Sequence, residues 1–223
     1  MSLVDRYNVS IQIKRVKNIS IRIRPDSTVH MGVPVGTSKK HIEHVLNQKS
    51  KWIEKKLAEI NSRVATSPLE YIDGEEIWYL GCSYKIKLIH SEKSYVVISG
   101  SSINIATEYL DDRDRKRELL YRWYYTQAEI IFGEIIQGYL SILQKEIKIM
   151  RIKEMKSRWG SCNSKKGYIN LNLELIKKPI EAIEYVILHE LAHLTHPNHS
   201  SRFHNYVASY MPDWKERKKM LYL

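Results

Sequence analysis

The sequence predicts an α+β fold: a basic, β-rich N-terminal region with one helix, a small β meander, and a C-terminal domain built around one strongly apolar helix. Three observations carry this. Apolar residues alternate with polar ones over residues 9–33 and 75–106, the period-two signature of half-buried strands. Over residues 38–60 and 111–145 the apolar spacing lengthens to three and four, which is the helical period. Residues 185–194 form an apolar stretch and yet contain His189, Glu190 and His193.

The elements follow in order. Val9, Ile11 and Ile13 alternate with polar residues, Lys17-Asn18 reads as a turn, and the alternation resumes at Ile19, Ile21 and Ile23. A third strand is expected through Val29, Met31 and Val33. Thr37 or Ser38 can cap a helix carrying Ile42, Val45, Leu46, Ile53, Leu57 and Ile60, with basic residues on its other faces. Ala65 to Leu69, with its Thr-Ser-Pro, is the best linker. Four strands of a meander are expected near residues 77–80, 84–89, 95–98 and 103–105, with Gly81 and Gly100 at turns. A long helix follows from Asp111 to about Lys145, weakened by Gly133 and Gly138. Its cluster Tyr121, Trp123, Tyr124 and Tyr125 sits at helical spacing and reads as packing more than as a base-stacking platform. The expected division is 1–65, 66–110 and 111–223.

Composition narrows the functional classes. The 223 residues, 43% hydrophobic and 27% charged, suffice for a packed core and argue against disorder. No apolar run has the roughly 18 residues of a membrane span, and the first ten residues lack a signal-peptide core. Cys82 and Cys162 lie too far apart in sequence for a Cys-x-x-Cys pair, so a reducing cytoplasm is the expected location. The net charge of +11 is uneven: residues 1–65 carry 13 Lys/Arg against 5 Asp/Glu, whereas residues 66–110 carry 3 against 6. The N-terminal part is therefore a candidate for contact with nucleic acid or an acidic partner, although a solvated basic face explains the same charge.

The chemistry concentrates in His189-Glu190-Leu191-Ala192-His193. Side chains four apart on a helix stand on one face roughly 6 Å apart, so both imidazoles can reach one zinc ion. Glu190 lies about 100° around the helix, near the metal without binding it. There a carboxylate can take the proton of a water activated by zinc, the arrangement of metal-assisted hydrolysis. Burying two histidines and a glutamate in an aliphatic helix without such a task would be costly. An all-imidazole set accepts other divalent metals besides zinc.

A catalytic zinc takes three protein ligands and leaves one position open. His196 shares the face of His189, but in a continuous helix roughly 10.5 Å of rise separates them. Pro197 disfavours helix at His196, and Asn198 favours a turn, so the chain should bend back and offer His199. Glu216 and the upstream thiol of Cys162 remain rivals for the third position. Upstream, residues 151–172 read as a hairpin through Ser157-Arg158-Trp159-Gly160-Ser161-Cys162 and Tyr168-Ile169-Asn170-Leu171-Asn172, one strand of which can hold an extended peptide. Arg158, Trp159 and Tyr168 are candidate substrate contacts, and Arg158 can serve equally as a structural charge. Tyr185, four residues before His189, is a candidate support for that ligand.

The segments 157–162, 169–172 and 185–194, with Asn198-His199-Ser200 and Phe203, resemble the YgjP-like family of predicted metal-dependent hydrolases. Looser similarity reaches Val33-Pro34, Trp52-Ile53 and Tyr79-Leu80-Gly81. The resemblance implies a zincin-like metallopeptidase domain related to the minigluzincin, WLM and SprT-like groups, with His189, His193 and His199 as zinc ligands and Glu190 as base. Where that family usually has Phe-Trp, this chain has Phe203-His204, a change in the pocket wall. The expected function is a zinc-dependent peptidase acting on peptide or protein. The alternatives are an amidohydrolase on a non-polypeptide substrate and a nucleic-acid-associated protein whose metal is structural, its fourth position filled for example by Cys162 or His204.

Overall fold

In the computed structural model, which describes residues 2–24, 26–64 and 68–222, the chain divides into two compact units, Met1–Pro68 and Leu69–Leu223. The boundary falls within the expected linker, whose residues 65–67 lie outside the described residues.

The first unit contains helix α1 (Leu3–Arg6), strands β1 (Val9–Lys14), β2 (Ser20–Ile23) and β3 (Val29–Pro34), and helix α2 (Lys39–Val64). Helix α1, which precedes the expected strands, is capped by Ser2 and fixed to α2 by Glu43, which accepts from the backbone of Leu3 and Val4. The hairpin expected at Lys17-Asn18 does not pair: β1 runs parallel and β2 antiparallel to β3, which lies between them. Strand β3 takes the centre because its Val29, Met31 and Val33 bury almost completely, whereas Lys14 on β1 and Arg22 on β2 favour edges. Ser38 is the residue that caps α2, accepting from His41 N at 3.2 Å. Ile42, Leu46 and Ile53 of α2 close the core on β3.

The second unit opens with β4 (Glu76–Tyr79), β5 (Cys82–His90), β6 (Tyr95–Ser99) and β7 (Ser102–Thr107), then helix α3 (Arg113–Leu143). These strands are not a meander; their order is β4-β5-β7-β6, with β5 parallel to β7. The most buried strand, β7, is again internal. Helix α3 runs unbroken past Gly133 and Gly138 because a stripe at four-residue spacing, Leu120, Tyr124, Ala128, Phe132 and Ile136, fixes it to the core. Tyr121, Trp123 and Tyr124 belong to this packing, and the Tyr124 hydroxyl donates to the Trp78 carbonyl.

Next come β8 (Ile149–Lys153), β9 (Gly160–Asn163) and β10 (Tyr168–Asn172), a 3-10 turn (Leu173–Lys177), and helices α4 (Ile180–Ala192), α5 (Ser201–Tyr210) and α6 (Trp214–Met220). Only β9 and β10 form the expected hairpin; β8 pairs parallel on the other side of β10. One topology thus recurs three times: two strands flank a third, the first parallel and the second antiparallel to it, and a helix follows. Among the described residues no helix is long and apolar enough to cross a membrane.

Candidate metal centre

Helix α4 is aimed by its surroundings before its own residues matter. The β4–β5 turn donates from Leu80 N and Gly81 N to the carbonyls of Ile176 and Lys177, holding the 3-10 turn that leads into the helix. Residue 81 has φ +81°, and a Cβ there would come within 2.8 Å of Pro179 Cγ, so this contact requires glycine. Ile183, Ile187, Leu188 and Leu191 then bury completely and fix the helix along its length.

The helix ends at Ala192, His193 caps it, and the chain bends through Pro197. The bend returns His199 to His189, with their Nε2 atoms 2.9 Å apart. One ring nitrogen from each of His189, His193 and His199 lies within 4.8 Å of the others. His193 Nδ1 stands 3.0 Å from the His196 carbonyl, and since a carbonyl only accepts, Nδ1 carries the proton and Nε2 presents its lone pair. His196 therefore contributes its backbone and not its ring. Beneath the three rings lies Phe203 of α5, buried, with centroid distances of 4.9, 4.7 and 4.8 Å to His189, His193 and His199.

These residues fit a divalent cation. Burial, and then the neighbouring His193 and His199, push His189 down to about 3; burial, then His193, lowers His199. Both rings are neutral at physiological pH, as a metal ligand must be. The C-terminal end of α4 adds the partial negative charge of the helix dipole.

Glu190 stands beside this cluster, only 6% exposed. Burial pushes its carboxyl up to about 7, against the opposing charge of Arg158. The backbone of β9 lies directly on it: a Cβ at Gly160 would fall 2.7 Å from Glu190 Cγ and 2.8 Å from Oε1. Glu190 and the three histidines line one cavity of about 420 Å³, with Arg158 and Cys162 on its wall. A smaller cavity of about 180 Å³ shares Gly160, His189 and Glu190 with the first and is bordered by Trp159, Tyr185 and Lys218.

The rivals for the third position stand apart from the converging donors. Glu216 pairs with Lys219 at 2.6 Å, and Cys162, whose thiol is pushed up to about 11 by burial and then by Glu190, lies on the cavity wall outside the set of converging donors. The Tyr185 ring packs beside that of His189, with 5.8 Å between centroids, and burial raises its hydroxyl to about 12. Trp214 stacks on Tyr185 and on His204, so His204 forms a wall between α5 and α6. Tyr168 lines neither cavity; its ring lies under Arg151 at the far end of β10.

Sequence reasoning gave Asn172 no role, yet it organises the loop before β9. Its amide donates to the carbonyls of Met155 and Arg158 and accepts from the backbone of Met155 and Glu174, which uses its full capacity while only 4% exposed. The signal was available: a polar residue ending a strand whose Ile169 and Leu171 face inward.

A family model described as YgjP-like, metallopeptidase domain, matches residues 17–222. No curated protein matches the chain. Among solved structures, the zymogen of the metallopeptidase abylysin from Pyrococcus abyssi aligns at 27% identity and TM-score 0.37, over 40% of this chain and 90% of that one. The metallopeptidase zymogen jannalysin from Methanocaldococcus jannaschii aligns at 27% identity and TM-score 0.36, over 40% and 92%.

Proposed function

Because the chain belongs to the YgjP-like metallopeptidase-domain family, and is accordingly a metal-dependent hydrolase, we propose that it is a zinc peptidase that uses Glu190 as its general base. The observation that carries this reading is the meeting of three imidazoles and one buried carboxyl group in a single cavity. His189, His193 and His199 would hold the ion, and a donor set of three imidazoles suits zinc with one position open. The ion would supply Lewis acidity and lower the pKa of water.

Glu190 takes the proton of the attacking water at a carboxylate oxygen and returns it to the leaving amine, a role suited to a carboxyl that burial has brought near neutral pH. Strand β9 is the edge of its sheet, bonded on one side to β10, and its free side can pair with an extended peptide. Arg158, exposed at the cavity wall, can neutralise the carbonyl oxygen as it gains charge. Peptide libraries incubated with the zinc-loaded protein test the reading. Products should appear, and Glu190→Gln should suppress them by about 10² to 10⁴-fold while zinc is retained. An unchanged rate in that variant would remove Glu190 from the mechanism.

The N-terminal unit supports a second, separate reading. Exposed Lys40, Lys51 and Lys55 fall on one side of α2, with Trp52, 42% exposed, at its border, a basic surface with an aromatic that suits nucleic acid.

A further inference from the structure

On the reading that this site cleaves peptides, we propose that the smaller cavity is a carboxylate subsite read by Lys218, which selects an acidic side chain or a free C-terminus beside the scissile bond. The cavity begins at the reacting centre, since Gly160, His189 and Glu190 line both it and the main cleft. A group bound there is necessarily next to the bond being cleaved. Its walls are largely flat or aliphatic, from Trp159, Tyr185, Leu221 and Tyr222, and suit the methylene stem of a side chain. Lys218 is the basic residue among those that border it.

The neighbours of Lys218 on α6 are already engaged. Arg217 pairs with Glu184 and with Asp213, and Lys219 pairs with Glu216. Lys218 has no carboxylate partner among the described residues. Among the described residues Glu190 is the one carboxylate bordering the cavity, and it is only 6% exposed. An uncompensated ammonium at the mouth of an aromatic cavity offers a charge-assisted hydrogen bond to an incoming carboxylate.

The test uses three peptides, Ac-Ala-Glu-Ala-NH2, Ac-Ala-Gln-Ala-NH2 and Ac-Ala-Ala-Ala-OH, titrated by NMR into the zinc-loaded full-length protein carrying Glu190→Gln, which prevents turnover. An exposed lysine makes modest pairs, so the Glu peptide or the free-carboxyl peptide should bind about three- to tenfold tighter than the Gln peptide, less so at high salt. Whichever of the two wins identifies the carboxylate. Adding Lys218→Met, which keeps the apolar stem, should erase the difference with zinc content and melting temperature unchanged. Equal affinities, a preference that survives Lys218→Met, or no binding by any probe at millimolar concentration would each overturn the subsite. Cleavage is scored separately with Glu190 intact. Cleavage without a Lys218-dependent charge preference leaves the peptidase reading standing and removes the subsite, whereas Lys218-dependent binding without cleavage does the reverse.

Discussion

Helices α2 and α4 each follow three strands of the same order, and they differ in what they bury. Helix α2 buries Ile42, Leu46 and Ile53 on one side and leaves His41 and His44 exposed, with His44 Nε2 bonded to Gln48. Helix α4 is apolar on nearly every face and still holds Glu190 inside. The recurring topology therefore carries no chemistry by itself. A site arises where the fold pays the cost of enclosing ionisable groups, and α4 does so while α2 does not.

The sharpest way to measure that cost is the pH dependence of the metal-free protein. Glu190 has a folded pKa of about 7 against an ordinary 4.5, so between these values the folded state keeps a proton that the unfolded chain releases. The stability of Glu190→Gln relative to wild type should rise with pH through this window, by up to roughly 3 kcal/mol, whereas the lowered His189 and His199 act against the Glu190 effect and equally in both proteins. Metal-free Glu190→Gln should thus melt higher than wild type at pH 8 and equal to it near pH 4. A constant difference at all pH values would show that Glu190 is not charged at a cost.

Smaller effects should follow from the parts that frame the site. Gly160→Ala forces β9 away from Glu190 and should lower hydrolysis by about 10²-fold while zinc content holds, because displacing a catalytic group by about an ångström costs that much. Equal activity would mean that the contact is soft. Asn172→Ala leaves two carbonyls and two backbone donors without their partner and should cost about 2 kcal/mol in denaturant unfolding. At the small end, His41→Ala and His44→Ala should leave zinc content and melting temperature unchanged, since α2 encloses neither ring. A loss of zinc in either variant would break the contrast between the helices.

What could be read from the sequence was what is local. Helical spacing placed His189 and His193 on one face, and Pro197 announced the bend that brings His199 back. Strand order was not local: β1 with β3, and β5 with β7, pair in parallel across an intervening strand, and nothing in the alternation of either segment distinguishes this from a meander. Phe203 beneath the histidines and Lys218 at the smaller cavity come from helices that meet α4 only in three dimensions. Asn172 was hidden differently, as a polar residue whose partners lie in an irregular loop.

The central claim, that His189, His193 and His199 form one metal site while His196 lends only its carbonyl, is tested most directly by elemental analysis of purified protein. Wild type and His196→Ala should each carry about one zinc per chain, and His189→Ala and His199→Ala should lose most of it, because a three-donor site weakens steeply when one donor goes. Full zinc retention in His199→Ala together with loss in His196→Ala would contradict the account.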